Sequence, residues 1–359
     1  MPSDSQFKID TDFHLPHVGV AELLPYLDEY WRIQAVDREL PGMPFQLSSY
    51  PKNSPMTHNA DYKDIDVSAA LDRFGTGIAV ASMLHGVVAL HNPDMRAALL
   101  SALNDYMAQE WLANEPRLRG SIYVSTEDPD AAVAEIERLA GDRRFVQVLM
   151  LAMQEAHHGN RHYWPIYEAA ERHGLTIAVH AGSLYRNAPS VAGWPSYQFE
   201  DYIMQANVFE NILVGLLGEG VLQKFPKLQF VFLESGFAWL PTTLWRIDKT
   251  WRGVRQEVPW LDRRPSEILA GRLFMSLQPV DPPGPDELKQ ILKHIGRTDM
   301  LLYSTDYPHR QFTGDTPLPE GLPAESIPGI LAGNALQAYP RLADDPAVRD
   351  AVKILEETA

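Results

Sequence analysis

The chain of 359 residues contains no cysteine. Disulfides, thiolate metal sites and cysteine nucleophiles are thereby excluded, any metal is left to nitrogen and oxygen ligands, and the composition suits a reducing compartment such as the cytoplasm. Basic side chains are also scarce. Against 47 Asp and Glu stand 31 Lys and Arg, a formal net charge of −16, and no Lys/Arg cluster is available to neutralise phosphates. Nucleic acid and anionic membrane are therefore not expected as partners. No run approaches the roughly 20 apolar residues needed to cross a bilayer, and the opening MPSDSQFKID lacks the basic and apolar regions of an export signal. A G-x-S-x-G elbow, a G-x-G-x-x-G fingerprint between strand and helix, and a phosphate-binding G-x-x-x-x-G-K-[ST] loop are all missing. Serine-hydrolase, nicotinamide and nucleoside triphosphate chemistry thus have no anchor.

What the sequence does contain is a set of eight short β-rich runs: FKIDTDFH (7–14), TGIAVASML (76–84), LRGSIYVS (118–125), RFVQVLML (144–151), LTIAVH (175–180), LQFVFLE (228–234), RLFMSLQ (272–278) and MLLYSTD (300–306). Segments of helical period separate them, such as DPDAAVAEIERLA with its Asp-Pro start and YWPIYEAAERHG ending on Gly174. This alternation predicts an α/β fold, a (β/α)8 TIM barrel, forming a single domain over 1–359. Two insertions, at about 38–66 and 181–200, carry little periodicity. Their Trp, Tyr and Phe content suits lids over the C-terminal face better than disorder.

In such a barrel the C-terminal ends of the strands converge on one face. Asp12 and His14 finish the first predicted strand, His180 the fifth, Glu234 the sixth and Asp306 the eighth. Asp12 and His14, two residues apart, point the same way. A histidine at a strand end is by itself more often a hydrogen-bonded polar residue than a ligand, and it is the convergence that raises the metal reading. Asp12, His14, His180 and Asp306 would suit one divalent ion, Zn2+ with Mn2+ as the alternative. His309, three residues past Asp306, is a candidate for steadying charge on the substrate. Arg186, Trp194, Tyr197 and His158 are candidates for substrate contact, although a loop histidine is usually solvated and loop aromatics often pack a lid. Trp239 and Trp245, at helical spacing, read as core.

The motifs IDTDFHLPH, YEAAERHGLTIAVHAG, FPKLQFVFLESGFAWLPTTLWRID, LLYSTDYPH and ILAGNALQAY, in this order, resemble those of the amidohydrolase superfamily, in the branch related to aminocarboxymuconate semialdehyde decarboxylase. The resemblance implies that Asp12 and His14 stand for the first-strand H-x-H, as in members with an acid at its first position, such as the γ-resorcylate and 5-carboxyvanillate decarboxylases. It implies further that His180 and Asp306 complete the ligand set of one metal with a position left open. Decarboxylases of this branch place a histidine where this chain reads FLESG and offers Glu234, which counts against decarboxylation. RFVQVLMLAMQEAHHG lacks the lysine that bridges two metals in binuclear relatives.

The expectation is accordingly a mononuclear metal-dependent hydrolase of a small cyclic or aromatic substrate. It would use a metal-activated water, with Asp306 as proton shuttle, Glu234 as second base and His309 at the oxyanion. The alternative is a metal-dependent, non-oxidative decarboxylase of an aromatic or muconate-type acid, and a third reading is a barrel that binds a small molecule without turning it over. Relatives often form dimers, and the Trp-rich WRIDKTWRGVRQEVPW offers a surface for a homodimer.

Overall fold

The computed structural model describes residues 7–42, 65–309 and 317–349. Eight parallel strands follow one another round the sheet in sequence order: β1 Ile9–His14, β2 Ile78–Ser82, β3 Leu118–Tyr123, β4 Phe145–Met153, β5 Thr176–Ser183, β6 Phe230–Leu233, β7 Leu273–Ser276 and β8 Leu301–Leu302. The ladder of β8 is only two residues long, yet the ring is nearly closed. Thr11 N donates to Tyr303 O (3.0 Å), Asp306 N to Asp12 O (3.0 Å) and His14 N to Tyr307 O (2.8 Å). Between Asp10 and Phe13 the register of β1 on β2 shifts.

The principal helices after the successive strands are α1 Val67–Phe74, α2 Pro93–Tyr106, α3 Pro129–Leu139, α4 Trp164–His173, α5 Gln198–Gly218, α6 Leu240–Val254, α7 Pro285–Ile295 and α8 Asn334–Ala338. Their bounds follow from local chemistry. Asp128 accepts the Ala131 N–H at the start of α3, and Pro129 takes the first turn, where its missing N–H costs nothing. α4 stops at Gly174, whose φ of 64° is the left-handed conformation that glycine adopts without steric penalty. α3 then turns Ala132, Ile136 and Leu139 inward. Because helices cover one face of the sheet and side chains fill the other, the strands are buried almost throughout and read as apolar runs.

A second buried cluster joins Ile9, Ile78, Val231 and Phe274 of the strands to Ala335, Tyr339 and Leu342 in and just after α8. Thr176, at the start of β5, donates to Ala338 O, and Arg341 donates to the carbonyls of Ala140, Asp142 and His173, which lie ahead of β4 and β5, and of Phe145, the first residue of β4. The C-terminal helices therefore stopper the N-terminal end of the barrel. The opposite end is left for a site.

Most of the insertion expected at about 38–66 lies outside the described residues. The other runs from β5 to the start of α5 as a loop with one short bridge, Ser190 to Gly193. Trp239 is buried as expected, but Trp245 is not core. It is 54% exposed and meets the edge of His294 on α7, because it projects from the outer side of α6. Among the described residues no helix is long and apolar enough to cross a membrane.

Candidate metal centre

Asp12 and His14 at the end of β1, His180 in β5 and Glu234 just past β6 bring four donor atoms together. Asp12 Oδ1 lies 3.5 Å from the Nε2 atoms of both His14 and His180, and Glu234 Oε1 lies 3.4 Å from the same two nitrogens. A second group, His14, Glu234, Asp306 and His309, overlaps the first. In it Asp306 Oδ1 is 3.2 Å from His14 Nε2, and His309 Nδ1 is 2.8 Å from Asp306 Oδ1 and 3.2 Å from Glu234 Oε1. Glu234 and Asp306 both hold left-handed backbone, φ 54° and 50°, a conformation that costs a non-glycine residue about 1–3 kcal/mol and persists where surroundings enforce it. The enforcing bonds are Glu234 N to Ser276 Oγ and Asp306 N to Asp12 O.

The imidazoles are oriented from behind. His180 Nδ1 lies 2.7 Å from Ala181 O, a bond it can make only by donating, which leaves Nε2 free to act as a lone-pair donor. His14 Nδ1 meets Ser82 Oγ at 3.1 Å. Both oxygens of Asp12 and the Nε2 atoms of His14 and His180 are buried without a hydrogen bond. Buried polar atoms left so are costly unless a ligand supplies the missing partner, and a hard or borderline divalent cation fits two imidazoles and two carboxylates. The residues present thus fit a metal.

The charges within the cluster agree. Burial would lower the His180 imidazole, but Glu234 and Asp12 outweigh it and hold it up at about 9. Burial works against charge on Glu234 too, yet His180, His14 and His309 hold it well below the usual carboxylate range. His309 is raised well above the histidine norm by Asp306 and Glu234 in spite of burial. Asp306 is pushed up to about 6 by burial and by the charge of Glu234. With no cation present, protons on the imidazoles balance the carboxylates, and a metal would displace them.

Of the proposed substrate contacts, Arg186 lies at the rim but is already engaged. Its Nε donates to Glu127 (3.1 Å) and Glu155 (3.2 Å), and Nη1 meets His91 at 3.2 Å. Glu127 in turn accepts from the buried Arg96. Trp194 and Tyr197 are 45% and 71% exposed. His158 is buried, with Nε2 at 3.0 and 3.2 Å from the carbonyls of Leu151 and Ala152, and burial pushes it down to about 4. It is a neutral internal brace of the β4 end and is closed to substrate. The sequence reading overlooked Asp10, two residues before Asp12. It accepts from Asp12 N, Thr305 N and Thr305 Oγ1 and so ties β1 to the chain leading to Asp306. The signal was there, a third acid in the same alternation.

A family model described as Amidohydrolase matches residues 9–341. The γ-resorcylate decarboxylase of Polaromonas sp. is 24% identical over 160 residues, covering 40% of this chain and 46% of the relative, so the chain spans about half the length of that relative in the match. The 5-carboxyvanillate decarboxylase of Sphingomonas paucimobilis superposes with a TM-score of 0.66 at 20% identity over 94% of this chain and 99% of its own. A dihydroxybenzoic acid decarboxylase from Polaromonas sp., solved with bound manganese and the inhibitor 2-nitroresorcinol, gives 0.61 at 18% identity, covering 93% and 97%. The expected hydrolase has no counterpart among these three, each of which is a decarboxylase. Glu234 does not set the chain apart from them in fold.

Proposed function

The chain belongs to the amidohydrolase family, and from that membership we propose that it is a divalent-metal-dependent, non-oxidative decarboxylase of a hydroxylated aromatic carboxylic acid. The observation that carries this reading is the Asp306–His309 pair at the edge of the buried donor cluster. Asp306 is buried, with Oδ1 3.2 Å from His14 Nε2 and 2.8 Å from His309 Nδ1, so a proton-carrying carboxyl stands beside the place of the cation with an imidazole at hand to steady it once the proton is given up.

Asp12, His14 and His180 would hold the cation, zinc or manganese, with Glu234 and Asp306 bordering it. When bound, it would draw in the substrate's carboxylate and a neighbouring hydroxyl oxygen and offset their negative charge. Asp306 delivers its proton to the ring carbon that bears the carboxylate. The bond from that carbon to the carboxylate then breaks, its electron pair restores the aromatic ring, and CO2 leaves. His309 steadies the Asp306 carboxylate left behind, which regains its proton from solvent. Relatives named as γ-resorcylate and 5-carboxyvanillate decarboxylases support the substrate class.

Protein loaded with Zn2+ or Mn2+ and incubated with 2-hydroxybenzoate, 2,6-dihydroxybenzoate and 5-carboxyvanillate should release CO2 and the matching phenol. Asp306→Asn should lower kcat by about a thousandfold, within the range for loss of a general acid, with the fold intact by circular dichroism. Hydrolysis of lactones or amides with no CO2 from any acid would overturn the reading.

A further inference from the structure

Donors from β1, from β5 and from the segments after β6 and β8 leave two gaps round the mouth of the barrel, β7 alone and the run from β2 to β4. Charged side chains cross the wider one. Arg186, three residues past β5, sends a single N–H, that of Nε, to two carboxylates at once: Glu127 at 3.1 Å, from the loop after β3, and Glu155 at 3.2 Å, from the loop after β4. Its Nη1 meets His91 at 3.2 Å and its Nη2 reaches Leu90 O at 3.4 Å, both in the loop after β2. Arg96, buried in the first turn of α2, takes the same carbonyl at 2.7 Å and Glu127 at 2.6 Å. Two guanidinium groups thus stand against two carboxylates, and their charges cancel.

Resting on the decarboxylase reading above, we propose that this network sets the substrate class: the site takes an aromatic acid whose single carboxylate is the one lost, and Glu155 is the residue that turns away a second carboxylate on the far side of the ring. A ring held at the donors by its carboxylate and adjacent hydroxyl points its far side into the wider gap. A second carboxylate there gives up water, and the guanidinium that could compensate it is already matched by acids whose own charges repel the newcomer. A hydrogen, hydroxyl or methoxy group in the same place meets no such cost. Glu155 decides the outcome because its charged partner among the described residues is Arg186, whereas Glu127 keeps Arg96 whatever Arg186 does. Its side chain is also the more exposed of the two, at 47% against 17%. Without its charge one guanidinium is in excess, an anchor for the far carboxylate.

The test compares two matched pairs on the full chain loaded with Zn2+. For binding, calorimetry sets 4-hydroxy-3-methoxy-5-nitrobenzoate against 2-methoxy-6-nitrophenol, which lacks only the far carboxylate and, like its partner, carries a nitro group where the lost carboxylate would be. For turnover, CO2 release sets 5-carboxyvanillate against 2-hydroxy-3-methoxybenzoate, which differ in the same way. The unaltered protein should favour the member without the far carboxylate in both pairs. Glu155→Gln should shift both ratios towards the far carboxylate by about tenfold or more, the effect of one unit charge within about 10 Å at an effective dielectric constant of about 20. Adding Arg186→Gln should cancel that shift. An unaltered protein that binds the nitrobenzoate as tightly as the nitrophenol would overturn the proposal, and that readout needs no variant to fold. So would unchanged ratios in a Glu155→Gln protein that is folded by circular dichroism. Discrimination within the nitro pair with no CO2 from either acid would uphold the role of Glu155 and overturn the decarboxylase reading instead.

Discussion

Asp10 is wholly buried and accepts three hydrogen bonds, from Asp12 N at 3.2 Å, Thr305 N at 3.0 Å and Thr305 Oγ1 at 2.6 Å. Burial, partly offset by these bonds, pushes its carboxyl up to about 7, so near neutrality it is poised between charged and neutral forms. What it supplies to the closure of β8 on β1 is then acceptor geometry more than charge. Asp10→Ala strands three buried donors and should cost about 3 kcal/mol or more, since each unsatisfied group costs 1–3. Asp10→Asn keeps the Oδ1 that serves both N–H groups, and the Thr305 hydroxyl can turn to accept from the new amide, so the cost should stay below about 1 kcal/mol. Urea unfolding of both variants measures this. An Asn variant as unstable as the Ala variant would mean that the charge is what holds Thr305.

At the scale of elements, the alternation of residues located all eight strands within a few positions, because strands buried on both faces must be apolar whatever the rest of the fold does. It located the ends less well. Glu234 follows the last paired residue of β6 directly, and Asp306 lies four past β8, both with left-handed backbone. The two-residue period predicts direction only while the chain is extended, so these two face the site through turns that the pattern does not encode. Arg186 shows a second limit. An arginine in a loop reads as an anion binder until Glu127 and Glu155, 59 and 31 residues away in sequence, are seen to match it. His158 shows a third, since the residues past β4 fold back onto its own carbonyls. That burial has a measurable sign. With its pKa depressed to about 4 from about 6.5, His158 stays neutral in the fold, and its stabilising share is complete above pH 6.5 and falls away as the pH drops towards 4. Over that range the loss approaches about 3 kcal/mol. The stability gap between the native protein and His158→Asn should therefore be widest at pH 7.5 and narrow by pH 4.5 in denaturant melts. A gap independent of pH would mean that His158 ionises inside the fold.

For the whole molecule, the cluster is a meeting of distant parts of the chain. Asp12 and His14 come from the first strand, His180 from the fifth, Glu234 from the sixth, and Asp306 and His309 follow the eighth. The three carboxylates gathered here are balanced by protons on the imidazoles among them, and a cation that displaces those protons finds no comparable site once the chain unfolds and the donors separate. Metal binding is therefore folding free energy, about 4.1 kcal/mol at a free concentration one thousand times the dissociation constant. Stripping the protein with a chelator should lower its denaturation midpoint, and adding back Zn2+ or Mn2+ should restore it. In Asp12→Ala, already weakened by the loss of one ligand, the chelator should make far less difference. A native protein whose midpoint ignores the chelator, after metal analysis has shown that an ion was removed, would place that ion somewhere other than these strands.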